Sequence, residues 1–428
     1  MHLAALSQST PQGGSRTARA AWLALVILSC AELLGMSLWF TASAVSPELQ
    51  RVWDLSASQA GWLTTVVQLG FVAGTAVAAV LNLADLIPSR WYFPVSALIA
   101  AAANALLLTT SSFVIALTLR FMTGFFLAGV YPPAMKMIAT WFAPAAPGTR
   151  TRRGLAIGGI VGALTIGKAL PYLLRAIEGL TYRDVIVYSS LAAAAAAALV
   201  AVAYRDGPHP FARRPFSWSL VGVVVRDRKT RLALGGYLGH MWELYAMWTL
   251  ISVFLHQHFS ARGATPAAAF AMAGASGFAV IAAGGIGSVL AGAWADRLGR
   301  ERITIWAMAT SGACALLTGF LIDAPSALVI AIGLVWGFSV VADSAQFSSI
   351  ITEVAPSHAV GTALTLQTSL GFLLTAFSIW FTIRVHASFG WPVAFSLLAM
   401  GPVIGIQQMI RLRRFRENEM KNNKKQNE

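Results

Sequence analysis

Charge is what this sequence has least of. Asp, Glu, Lys and Arg together supply 11% of its 428 residues, and acids account for 17 positions. Soluble domains run at about a quarter charged residues, so an ordinary globular chain is excluded at once. Cysteine is nearly absent as well. Cys30 and Cys314 sit far apart in apolar segments, which excludes a disulfide framework or a cysteine-based metal site and reads as two buried, inert thiols. The phosphate-cradling GxxxxGK[ST] loop of nucleotide-driven pumps is missing. No Ser/His/Asp or metal-ligand constellation points to an enzyme or to a resident cofactor.

The chain is instead 57% hydrophobic, with a mean hydropathy of +0.67. Apolar runs of about 20 residues recur, the length that crosses a hydrocarbon core of roughly 30 Å. The fold class is therefore all-α and integral to the membrane. Twelve transmembrane helices are expected near 20–45, 59–82, 90–111, 113–138, 153–176, 183–204, 232–256, 266–295, 302–322, 325–347, 358–383 and 390–411. They divide the chain into a cytoplasmic N-terminal tail (1–19), a six-helix bundle (20–204), a Pro- and Arg-rich cytoplasmic linker (205–231), a second six-helix bundle (232–411) and a basic cytoplasmic tail (412–428). The linker has room for a short surface helix; the tail reads as disordered and drawn to anionic lipid. Span one ends in Ala42-Ser43-Ala44, like a signal-peptidase site. A signal core is about 7–15 apolar residues, whereas this run is longer and carries Glu32, so it reads as a retained span.

A net charge of +14 would suggest nucleic acid in a soluble protein. Here it reflects Lys and Arg kept on the cytoplasmic side. With both termini inside, the inner segments collect Arg16, Arg19, Arg90, Arg150, Arg152 and Arg153, together with the basic residues of the linker, the loop after span eight and the tail. The outer loops hold Arg51, Arg183, Arg262 and Arg384. This asymmetry sets the orientation and fits a bacterial inner membrane or one derived from it.

The sequence also repeats itself. AELLGMSLWF, Ala31 to Phe40, is echoed by HMWELYAMWTL, His240 to Leu250. Glu32 and Glu243, Asp85 and Asp296, and Gly74 and Gly285 each stand 211 residues apart. Spans one and two thus correspond to spans seven and eight. Internal repeats joined by a cytoplasmic linker mark a two-bundle transporter with its substrate site near the bilayer midplane.

Between spans eight and nine lies Gly292-Ala-Trp-Ala-Asp296-Arg297-Leu-Gly299-Arg300-Glu-Arg302. This resembles the GxxxDRxGRR loop motif of the major facilitator superfamily, and the likeness extends over essentially the whole chain. The first-half counterpart keeps Asp85 and Arg90, but Leu81, Leu86, Pro88 and Ser89 replace the expected residues. The resemblance implies that these loops latch an inner gate, an aspartate at a helix end and arginines near carboxylates or helix C-termini providing the attraction. Arg120-Phe-Met-Thr-Gly124 in span four is similar to the RxxxG motif tied to proton coupling. Arg120 lies about 10 Å deep, so it either faces the bundle interior or snorkels outward. In span five Gly154, Gly158 and Gly162 recur at four-residue spacing, which suits close helix packing. The proline and final glycine pair of the antiporter motif are absent, Ala163 and Ile166 standing in two of those places. Arg175 reads as snorkelling to the outer surface, and Lys168 as an anion or proton contact.

Glu32 and Glu243 each lie about eleven residues into their spans, near 16 Å deep at about 1.5 Å per residue. His240 shares a helical face with Glu243, as Asp343 does with Gln346 on span ten, and Gln68 adds a polar group on span two. Intramembrane ionisable groups are functional candidates by default. Three roles compete for the acids. They can carry protons, since a desolvated carboxyl exchanges a proton near working pH and a histidine can relay it. They can bind a cation or metal ion with His240. They can be structural partners of Arg120 or Lys168. The resemblance weighs against nitrate and organophosphate carriers, whose arginines in spans two and eight, or one and seven, have no counterpart here. It leaves open an iron or other metal-ion carrier like the magnetosome-associated members, a small-anion carrier, and a transport-inactive sensor or scaffold. The expected reading is a monomeric secondary transporter of a small polar solute or ion by alternating access, with Glu32 and Glu243 as protonation sites and Arg120 as their partner.

Overall fold

The computed structural model describes residues 11–142, 152–209 and 217–427. Arg150 and the side chains of Arg16 and Asp85 lie outside what is described. Every regular element among the described residues is helical. Ten helical stretches are long and apolar enough to cross a membrane. The last of them, Ser357–Asn422, contains two crossings, because Gly390 (φ 75°) breaks the helix Val360–Leu398 and only glycine takes that left-handed turn without strain. The 34-residue helix Arg228–Ala261, whose polar and aromatic residues lower its hydropathy, completes twelve.

Local chemistry sets the ends. A Ser56/Gln59 capping box starts span two, Ala57–Val80, and Thr181/Asp184 forms another for span six, Tyr182–Ala203. Asp227 caps span seven, while Thr265 followed by Pro266 starts span eight, Pro266–Leu298. Such caps satisfy the orphan N–H groups of a first turn. Spans three, five and nine are Ser89–Ala105, Arg153–Ala176 and Arg300–Thr318. Three spans are interrupted. Span one, Pro11–Met36, breaks before the short helix Thr41–Ala44. Span four divides into Phe113–Leu127 and Tyr131–Ala139, and span ten into Ser326–Ala342 and Ser344–Val354.

The two bundles meet along spans five and eight and along spans two and eleven. At the first seam a Cβ on Gly162 would lie 2.7 Å from the Gly285 carbonyl oxygen, and one on Gly285 2.8 Å from the Gly162 oxygen. Helices this close tolerate no side chain. Gly74 is not the structural counterpart of Gly285. A Cβ on Gly74 would strike the Phe125 carbonyl, as one on Gly287 would strike Phe338. Gly124 and Gly337 press likewise on Val67 and Val280. These pairs stand 213 residues apart, so the repeat slips by two residues within its second helix.

Two expectations are corrected. The C-terminal tail is helical, continuing Met400–Asn427. Its ion pairs explain why: Arg413 pairs with Glu417 at 2.8 Å, Lys229 with Glu419 at 3.1 Å, and Arg416 with Glu301 at 2.5 Å and Glu353 at 3.2 Å. Cys30 is exposed, lining an open groove between span one and the seam of spans five and eight, whereas Cys314 is buried. The linker does contain a short helix, Trp218–Arg226.

Candidate substrate and gating sites

Arg120 faces inward. Its guanidinium donates to the carbonyls of Leu38 (3.0 Å), Trp39 (2.5 Å) and Leu63 (3.3 Å) and to Asn104 Oδ1 (3.1 Å). Asn104 in turn donates to Ser190 Oγ at 3.0 Å on span six. The arginine therefore clips the open end of span one, where the break leaves carbonyls without helical donors. Among the described residues no ion pair includes Arg120, so it is not the partner of Glu32 expected from the sequence. The carbonyls occupy its fork.

Glu32 is fully buried, and among the described residues neither of its carboxyl oxygens has a hydrogen-bond donor. It lies within electrostatic reach of Lys168 on span five and Tyr131 on span four. Lys168 is buried too and donates to the Tyr245 hydroxyl. Its ammonium sits 3.8 Å from the ring centroid of Trp39, 4.5 Å from Tyr245, 5.4 Å from Trp248 and 5.9 Å from Phe372. Four rings within about 6 Å make a cation–π box, drawn from spans one, seven and eleven. Phe71 of span two packs at a tilt against Phe372, ring centroids 4.4 Å apart, and against Trp39 at 5.1 Å. Gln68, one turn before Phe71, is buried with neither amide atom partnered among the described residues. Aromatic side chains from both bundles thus pack around the Lys168 ammonium.

Glu243 has a different setting from its repeat partner. Its oxygens accept from Trp336 Nε1 at 2.6 Å on span ten and from Ser311 Oγ at 2.8 Å on span nine. It points into the second bundle and does not face Glu32 across a shared chamber. At the matching first-half positions stand Ala100 for Ser311 in the 211-residue register (Leu98 in the 213-residue one, which donates nothing either) and, by the Gly124/Gly337 register, Thr123 for Trp336. Alanine donates nothing, and the Thr123 hydroxyl donates to Leu119. The acid was kept in both halves; its donors were kept in one.

His240 turns away from Glu243. Its Nδ1 lies 2.9 Å from Asp343 Oδ1 and its Nε2 3.0 Å from Ser344 Oγ, so the histidine holds the break of span ten. Gln346 accepts from Arg300 at 2.8 Å and belongs to the gate.

At that gate Arg300 pairs with Glu353 at 2.7 Å and lies 3.5 Å from Asp296. The Asp296 carboxylate rests on the first turn of span five: a Cβ on Gly154 would be 2.7 Å from Oδ2, and one on Gly292 2.8 Å from the Gly154 oxygen. The positive end of a helix from the other bundle therefore meets an acid. Gly299 (φ 93°) makes the turn between spans eight and nine, and Arg297 is exposed. Arg90, in the first-half loop, is exposed and stacks on Trp91 at 5.2 Å. Arg175, expected to snorkel, pairs with Glu48 at 2.5 Å.

Sequence reasoning missed the aromatic box and the Arg416 link, whose members are scattered over distant spans. It also missed Tyr131, whose place before Pro132 and Pro133 at the break of span four was the available signal.

The family model of the Major Facilitator Superfamily matches residues 27–377 and again 234–428. No curated protein matches the sequence. Among solved structures, the human organic anion transporter MFSD10 (TETRAN) superposes with a TM-score of 0.67 at 16% identity, over 91% of this chain and 99% of that one. A variant of the nucleoside transporter NupG gives 0.66 at 12%, over 91% and 99%. The proton:xylose symporter XylE bound to 6-bromo-6-deoxy-D-glucose gives 0.69 at 16%, over 92% and 96%. With the family model spanning most of its length and the twelve-helix fold in agreement, this chain belongs to the Major Facilitator Superfamily, a family of membrane transporters and not of enzymes.

Proposed function

We propose that the protein is a proton-coupled secondary transporter that moves a small polar solute or ion by alternating access, with Glu32 as the proton-carrying group. The observation that carries this reading is the Glu32 carboxyl itself, fully buried one turn before the break of span one with no donor to either oxygen among the described residues. A carboxylate so placed is costly, and proton uptake relieves that cost. The titratable groups around it are Lys168 and Tyr131, with Tyr237 and Tyr245 beyond them. Glu243, already held by Trp336 and Ser311, serves as a strut between spans seven, nine and ten. Both termini lie in the cytoplasm, a monomer suffices, and the bundles 20–204 and 232–411 rock against each other around the 205–231 linker.

Uptake into proteoliposomes with and without a pH gradient tests this, over a panel of anions, cations, sugars and divalent metals. Glu32→Gln loses gradient-driven accumulation and keeps exchange. A Glu32→Gln protein that still accumulates solute with unchanged pH dependence refutes the coupling role.

A further inference from the structure

A buried donor calls for an acceptor, and two of the donors here can do nothing else. Trp39 and Trp248 are 0% and 1% exposed. An indole nitrogen only donates, and among the described residues neither Nε1 has an acceptor. Both rings surround one cation, the Lys168 ammonium. An ammonium carries three N–H donors; one goes to the Tyr245 hydroxyl, and the rings beside it offer π faces to the rest. The surroundings of Lys168 therefore hold unused donors and one cation, with Glu32 as the nearby acid, on a wall of ring faces that includes Phe71, Tyr245 and Phe372.

Building on the transporter reading above, we infer that the substrate is an organic anion. A carboxylate or similar oxyanion would sit against Lys168 and the two indole N–H groups, with an apolar, ring-sized body against the aromatic wall. Charge-assisted bonds from an ammonium and an indole to one oxyanion are stronger than neutral ones, and they would satisfy donors that the fold leaves unused. A cationic substrate is disfavoured by the same geometry. The ring faces that would attract it are already filled by Lys168, and a second positive charge there meets repulsion. The ammonium that takes the anion is also the one nearest Glu32 electrostatically, so solute and proton act on one charge cluster.

The test is saturable binding to the full-length protein in lipid nanodiscs, using benzoate, phenylacetate and hexanoate against benzylamine and benzyl alcohol. At least one carboxylate should bind ten-fold or more tightly than the amine and the alcohol. Lys168→Gln should weaken it at least ten-fold, and Lys168→Arg should restore part of the loss. Trp39→Phe, which keeps an aromatic face but removes the indole N–H, should weaken it three-fold or more. Preference for benzylamine, absence of saturable binding by every carboxylate, or carboxylate binding unchanged in Lys168→Gln and Trp39→Phe overturns the inference. Transport of a neutral or cationic solute without carboxylate binding also sinks it while leaving the transporter reading intact. Lys168-dependent carboxylate binding with no transport under any gradient supports the site and sinks the transporter reading.

Discussion

Replacing Arg120 by lysine separates two explanations of the same motif. If the arginine matters as a charge, the conservative change preserves its role. If it matters as a planar fork, the change removes it, because an ammonium cannot reach the carbonyls of Leu38, Trp39 and Leu63 and the Asn104 amide at once. Polar contacts between membrane helices are worth about 0.6 kcal/mol on average, and hydrogen bonds to charged groups in proteins about 1.5–3 kcal/mol. Four contacts in this range give roughly 2–12 kcal/mol for Arg120→Ala, the lower figure applying if lipid-embedded values hold. Arg120→Lys should retain one or two of the four contacts and lose roughly half to three quarters of that. Thermal unfolding of the purified protein should rank wild type above lysine above alanine. Amide exchange of the segment 37–44, which the fork secures, should accelerate in both variants. If Arg120→Lys unfolds at the wild-type temperature with wild-type exchange, the clip is not what holds the break, and the arginine acts through its charge.

Gly162→Ala places a Cβ 2.7 Å from the Gly285 carbonyl oxygen; overpacking at the seam between spans five and eight should cost about 1–3 kcal/mol and slow transport. Gly222→Ala, whose Cβ would meet nothing within 4 Å, is the control and should leave the unfolding temperature unchanged or raised. Glu243→Leu strands the Trp336 and Ser311 donors at about 1–3 kcal/mol each, whereas Glu243→Gln keeps an acceptor and should retain both fold and the pH profile of uptake. Loss of pH-driven uptake in a stably folded Glu243→Gln protein would show that this acid carries protons after all.

The architecture was legible because hydropathy acts on every residue of a span at once. Twelve crossings, the two-bundle repeat and the gate motif at Gly292–Arg300 all follow from patterns that run along the chain. The site around Glu32 and Lys168 was not legible, because its chemistry comes from meetings between spans. Nothing in AELLGMSLWF announces that the helix ends at Met36. Without that break Arg120 has no carbonyls to bind, and a reader pairs it with the nearest plausible acid. Glu32 and Glu243 read as equivalents since their own helices match, yet what each one does is decided on other helices, by Ser311 and Trp336 in one half and by Ala100 and Thr123 in the other. The repeat thus shows where divergence matters: one copy of the acid became part of the frame, and the other was left without donors beside a caged ammonium. An internal repeat can be searched for this asymmetry from sequence alone, by asking whether the residues one register away on neighbouring spans can still donate. Here that search required the two-residue slip between the halves, which only the packing of Gly124 on Val67 and Gly337 on Val280 made visible.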